Sequence, residues 1–182
     1  MFIGPKRVGL HAYQGAVYLE EATVDDWCFK VIDESHKLHG EFFENFPFNP
    51  NSEHRKLKQK EIKWYQDHGC SVIRTPVPKG GMILWDSRTV HAGAGAHEGR
   101  PFPDRWRYIV FVCMAPAIWA KERDYAEKIR GYKEMQVSRH WPALGASYFR
   151  HTKQGEVGDI EELPDIAKTE EARLLVGDLR YE

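Results

Sequence analysis

Two neighbouring runs carry the residue types that can do chemistry. GMILWDSRTVHAG, Gly81 to Gly93, ends an apolar strand-like segment in His91; RWRYIVFVCM, Arg105 to Met114, opens the next one with two arginines. Two histidines and one carboxylate on one face of a transition metal leave coordination positions open for other reactants. On a β scaffold that set comes from an H-x-D/E pair, whose first and third residues share a side, together with a distant histidine. His91 fits the distant position. An arginine on the following strand then suits the far carboxylate of a dicarboxylate cosubstrate, because a guanidinium fork makes paired, charge-assisted hydrogen bonds. Arg105 and Arg107 both qualify, on one side of their strand. Arg107 opens the apolar run and is preferred.

Each residue also has a plainer reading. His91 can be a loop histidine bonded to backbone, Arg107 can be half of an ion pair with Asp86 or Asp104, and Asp86 reads as a turn residue capping its own backbone. A near pair for His91 is harder to find. Scanning the nine histidines for H-x-D/E yields His39-Gly40-Glu41. That pair lies in SHKLHGEFFENF, which reads as a helix behind Ser35 as N-cap, and residues two apart on a helix point about 200° apart. His39 and Glu41 are therefore weak alternatives. His11 is another, with no carboxylate partner.

The elements that must position these groups alternate in type along the chain. AYQGAVYLE (Ala12–Glu20) and WCFKVIDE (Trp27–Glu34) read as strands around an acidic loop, EATVDD. A helical insert spans about 36–68, its second part the charged helix EHRKLKQKEIKWYQDHG with Gly69 as C′ residue. CSVIRTPV, GMILWD, TVHAG and RWRYIVFVCM follow as strands. Beyond Pro116, AIWAKERDYAEKIRGYKEMQ is an amphipathic helix with Ile118, Tyr125, Ile129 and Tyr132 on one face, and IAKTEEARLLVGDLRY reads as a terminal helix. Strands without βαβ alternation or a glycine-rich phosphate loop argue for an antiparallel sandwich or barrel decorated with helices. The 182 residues suit a single domain, with a C-terminal helix and tail over about 117–182.

Composition narrows the function classes. A net charge of −1 and a pI near 6.8 give no global field favouring nucleic acid or an anionic membrane. Three cysteines without a CxxC argue against a disulfide framework or a thiolate zinc site, and for reduced thiols in the cytoplasm or nucleus. The sequence shows neither a signal peptide nor an apolar stretch of membrane-spanning length.

GMILWDSRTVHAG with RWRYIVFVCMAP resembles the C-terminal half of the Fe(II)/2-oxoglutarate oxygenases, in their phytanoyl-CoA-dioxygenase-like branch. YQGAVYLEEATVDDWCFKVIDESHKLH is similar to that branch's strand, acidic loop, strand and SH segment, and SRHWP and RLLVGDLRY are similar to its ends. The resemblance runs from about Gly9 to the C-terminus and is most specific over DSRTVH. It implies a double-stranded β-helix (jelly roll, mainly β with added helices), iron(II) at His91 and 2-oxoglutarate at Arg107, with Gln14 and Tyr18 lining the pocket. The activity implied is hydroxylation of a small molecule or protein, with 2-oxoglutarate decarboxylated to succinate. The chain departs from the family pattern where the H-x-D pair belongs. That register falls on Met1, Phe2 and the position before them, and Gly4-Pro5-Lys6-Arg7 offers no ligand. Either the chain is a shortened form of a longer enzyme, or it is a natural form without its iron-binding pair. In the second case the β-helix serves as a module for protein association, including self-association through an exposed sheet edge.

Overall fold

The computed structural model describes residues 2–3, 12–47, 55–136 and 162–181. The chain divides into two compact units, Met1–Val112 and Cys113–Glu182, where the sequence suggested one domain with an added helix and tail.

The first unit holds two sheets, the last strand of one running two residues past its end. Strands β1 (Phe2–Ile3), β3 (Cys28–Ile32), β4 (Arg55–Lys56), β5 (Val72–Thr75) and β7 (His91–Ala94) form one, in the order β4-β1-β7-β3-β5. Strands β2 (Tyr13–Tyr18), β6 (Met82–Asp86) and β8 (Ile109–Met114) form the other, in the order β6-β2-β8. Apart from the two-residue β4, odd strands lie in one sheet and even strands in the other. Except from β3 through β5, which stay in one sheet, the chain crosses between the sheets from strand to strand, as in the wrapped topology of a double-stranded β-helix, and the pairs of β3 with β5 and β7, and of β2 with β6, are antiparallel. The expected class, mainly β with added helices, is the one observed.

The two-residue period explains the interior. On β2, Gln14, Ala16 and Tyr18 are buried while Tyr13 is exposed. Gln14 lies opposite Trp85 of β6, and Gly15 opposite Leu84. A Cβ on Gly15 would stand 2.8 Å from the Ile83 carbonyl oxygen and 2.6 Å from Leu84 Cδ2, so only glycine lets these strands approach this closely. Ala16, Tyr18, Cys28, Phe29, Val77, Trp85 and Ala94 make one core. Ile32, Phe42, Leu57, Tyr65, Cys70 and Val90 make a second, in which Phe42 stacks on Tyr65 with centroids 5.0 Å apart.

Two details of the insert differ from expectation. Ser35 is not a helix N-cap: it begins a 3-10 turn, Ser35–Leu38, and its hydroxyl donates to the Ile32 carbonyl (2.6 Å) and accepts from Val90 N (2.9 Å). It ties the end of β3 to the lead-in of β7. Helix α1 then spans His39–Asn45. The charged helix is shorter than its charge pattern suggested: α2 is Gln59–Asp67, and Arg55 and Lys56 pair with β1 instead. Gly69 has φ +85°, as a C′ residue should.

In the second unit α3 is Glu122–Lys133 and α4 is Glu170–Val176. Ile118 belongs to a separate 3-10 turn and is exposed, so it does not share the face of α3. Thr169 caps α4, its hydroxyl accepting from Ala172 N at 3.3 Å. Arg180 lies 3.5 Å over the Tyr125 ring and pairs with Glu122. No described helix is long and apolar enough to cross a membrane.

Candidate functional site

His91 opens β7, and register decides its surroundings. It lies opposite Val31 of β3, and Gly93 lies opposite Phe29, so these four residues face the same side. The half-buried imidazole packs against the rings of Trp85, with centroids 5.1 Å apart, and Phe29, at 5.9 Å. Its Nδ1 is 2.9 Å from the Thr89 carbonyl. A carbonyl only accepts, so Nδ1 carries the proton and the lone pair sits on Nε2. Metal-binding imidazoles are oriented in this way.

The two arginines part company. Both precede β8 rather than lying on it. Arg105 turns to carboxylates: its guanidinium is 2.8 Å from Glu21 and 3.3 Å from Asp26, and it covers the Phe102 ring at 4.2 Å. It is a structural residue, which corrects its place among the cosubstrate candidates. Arg107 pairs with neither Asp86 nor Asp104. It donates to the Tyr18 hydroxyl at 3.0 Å, lies over that ring at 5.3 Å, and would stand 3.4 Å from a Cβ on Gly93. Among the described residues its buried Nε has no hydrogen-bond partner. Gln14 is buried beside Trp85, whose indole N–H donates to its Oε1 at 3.2 Å. That bond fixes which end of the amide is which. The interior thus brings together His91, Arg107, Tyr18 and Gln14 from β7, the lead-in to β8, and β2.

The near iron ligands are not among them. Phe2 of β1 lies directly opposite His91. None of the interior residues named here is a carboxylate. Among the described residues no three His, Cys, Asp or Glu lie close enough together to hold a metal ion. His39 and Glu41 sit on α1, as the helix reading required: His39 is buried, whereas Glu41 points to His68, 3.6 Å away. They are withdrawn as ligands. His11 lies outside the described residues. The donor set among the described residues therefore suits a carboxylate at Arg107, and it includes no group of three ligands that would hold iron at His91.

Sequence reasoning missed the residue that organises this end of the sheets. Asp26 is buried and receives Thr23 N (3.0 Å), Thr23 Oγ1 (2.8 Å) and the guanidinium groups of Arg100 (3.1 Å) and Arg105 (3.3 Å). Arg74 donates to the Asp26 and Gly95 carbonyls, both at 2.8 Å. Asp86 is the turn residue expected, accepting from Arg88 N at 2.8 Å.

A model of the phytanoyl-CoA dioxygenase (PhyH) family matches residues 5–101. The chain belongs to this family. As a PhyH-family chain it is 27% identical over 147 residues to the Ava biosynthesis cluster protein O of Aspergillus versicolor, a match covering 76% of this chain and 46% of that protein. It thus spans less than half the length of that relative. Among solved structures, it is similar to EctD from S. alaskensis with bound Fe (TM-score 0.45, 16% identity, 67% of this chain and 40% of that one). EctD with 2-oxoglutarate and 5-hydroxyectoine scores 0.40 at 20% identity, covering 57% of this chain and 31% of that one. EvdMO1 scores 0.37 at 20% identity, covering 58% and 20%.

Proposed function

We propose that this chain carries the cosubstrate half of an Fe(II)/2-oxoglutarate oxygenase site, with Arg107 holding the far carboxylate of 2-oxoglutarate. One observation carries the reading. Arg74, Arg88, Arg100 and Arg105 all spend their guanidinium groups on carboxylates or carbonyls. Arg107 alone among these five makes its hydrogen bond to a neutral hydroxyl and keeps a buried N–H for a ligand. Tyr18 is fully buried, so it holds the fork in place, and the bare Cα of Gly93 lets the guanidinium lie close against β7.

Two residues along a strand span about 7 Å, so His91 lies one such step from the backbone against which Arg107 rests. A five-carbon diacid bridges that gap. Hydroxylation of a small molecule or protein, with decarboxylation of 2-oxoglutarate, is the chemistry of the complete site, and it needs iron ligands beyond those the described residues supply. Calorimetric titration with 2-oxoglutarate tests the reading: the chain binds it, and Arg107→Ala weakens binding by about tenfold or more, the worth of a charged hydrogen bond. Equal binding by the variant sinks it.

A second reading, a module for self-association, has its own observation. Strand β8 ends the order β6-β2-β8, and the described residues on this sheet include exposed Tyr13, Met82, Leu84, Val110 and Phe111. Among the described residues β8 has a strand partner on one side only, and such an edge beside apolar side chains favours pairing with another chain.

A further inference from the structure

We infer that Tyr18 is a second donor of the Arg107 site: its phenol O–H, together with Arg107 Nε–H, binds the two oxygens of a ligand's carboxylate. The inference rests on the cosubstrate reading above and adds a residue that meets the ligand directly rather than through Arg107. Hydrogen-bond accounting carries it. Arg107 Nη2 donates to the Tyr18 hydroxyl oxygen at 3.0 Å, and a guanidinium has no lone pair to offer in return. The phenol proton therefore cannot go to Arg107, and among the described residues no acceptor takes it. Tyr18 is 0% exposed, so bulk water does not take it either. A buried donor without an acceptor is costly. This site has two of them, because Arg107 Nε is buried without a partner as well.

The two donors point to one ligand chemistry. Nε and Nη2 form one edge of the guanidinium. Nη1, on the other edge, lies 3.4 Å from where a Cβ on Gly93 would stand. The edge turned to Tyr18 is thus the one with the spare N–H, and the two spare donors are neighbours. The two-residue period of β2, which buries Gln14, Ala16 and Tyr18 on one side, puts the phenol there. Gly93 has no side chain and supplies neither donor nor acceptor. An ionised carboxylate only accepts and has two oxygens, so it satisfies both groups at once. A carboxamide would set its own N–H against one of them.

The experiment uses the 182-residue chain with carbon-13 at the tyrosine Cζ positions and 2-oxoglutarate as the probe. The Tyr18 resonance is the one absent from Tyr18→Phe. Calorimetry compares wild type, Tyr18→Phe and Arg107→Ala, and circular dichroism checks that each is folded. The expected result has two parts. Tyr18→Phe binds about tenfold or more weakly, the worth of one hydrogen bond to a charged group. In the wild type the Tyr18 Cζ signal moves to higher frequency on binding, as it does when a phenol donates its proton. A phenol that only steadies Arg107 gives weaker binding without the shift, and that outcome overturns the inference. Binding by Tyr18→Phe equal to wild type overturns it too. In both cases 2-oxoglutarate binding that depends on Arg107 leaves the cosubstrate reading standing. If Tyr18→Phe does not fold, the wild-type spectrum decides, and the inference falls when no tyrosine Cζ signal moves on binding. A folded chain that binds no 2-oxoglutarate, or binds it equally well as Arg107→Ala, sinks both readings.

Discussion

Arg105 and Arg107 stand two positions apart with the same charge and opposite duties. Arg105 completes the coordination of a buried carboxylate, so Arg105→Ala lowers stability by about 2 kcal/mol, the value of hydrogen bonds to a charged group, and leaves carboxylate binding intact. Arg107→Ala does the reverse. Urea denaturation run beside calorimetry separates the two, and a variant that moves both readouts refutes the division. Asp26 adds a pH signature. Burial alone raises its pKa, but the hydrogen bonds from Thr23 and the charges of Arg105 and Arg100 outweigh burial and hold it below the ordinary carboxylate range. A folded-state pKa below the unfolded one gives stabilisation that is complete above the unfolded value, about 4. It is lost as pH falls through the folded value. Asp26→Asn therefore costs about 3 kcal/mol at neutral pH and flattens the fall in urea midpoint between pH 4 and the acid limit. An unchanged acid limb would show that Asp26 is not the group responsible.

At the scale of elements, β2 is the wall that sets the pocket. Gly15→Ala drives a methyl into the Ile83 carbonyl and Leu84, and overpacking of this kind costs about 2 kcal/mol. Because Gln14 and Trp85 are the next pair in that ladder, the same change loosens carboxylate binding, whereas Gly40→Ala, with nothing within 4 Å of its Cβ, does neither. Thermal melts and calorimetry of the two variants check this. Most of these strands were legible as apolar runs between turn residues, and β7 was found because DSRT reads as a turn before His91. What was not legible depends on partners far along the chain. Ser35 has the residue type of an N-cap, and only the arrival of Val90, 55 positions later, shows that it joins two strands. Arg105 and Arg107 look alike until Asp26, 79 positions before Arg105, claims one of them. The apolar run after them hid the start of β8, since an extended lead-in and a strand share the same composition.

At the scale of the whole molecule, the last strand of one described sheet, β8, carries no charged residue, and its Val110, Phe111 and Met114 face water. Soluble proteins usually blunt such an edge with lysine. Sedimentation of the wild-type chain should show self-association that grows with concentration, and Phe111→Lys should abolish it without changing carboxylate affinity. A monomer at every concentration refutes the association reading and leaves the pocket untouched. The two readings of the chain thus fail separately, because β8 and the Arg107 pocket share no side chain.

The knot around Asp26 has a consequence for how such a chain can change its sequence. The loop after β7 is pinned at its start, where Arg74 holds the Gly95 carbonyl and His97 N–H meets the Asp25 carbonyl at 2.7 Å. It is pinned again at its end by Arg100 and Arg105. Between the pins lies a turn at Glu98–Gly99, both exposed, with Gly99 at φ +73°. Residues inserted there lengthen the loop without pulling on Arg107. The rim of the barrel is free to drift and grow while the interior it borders stays in place.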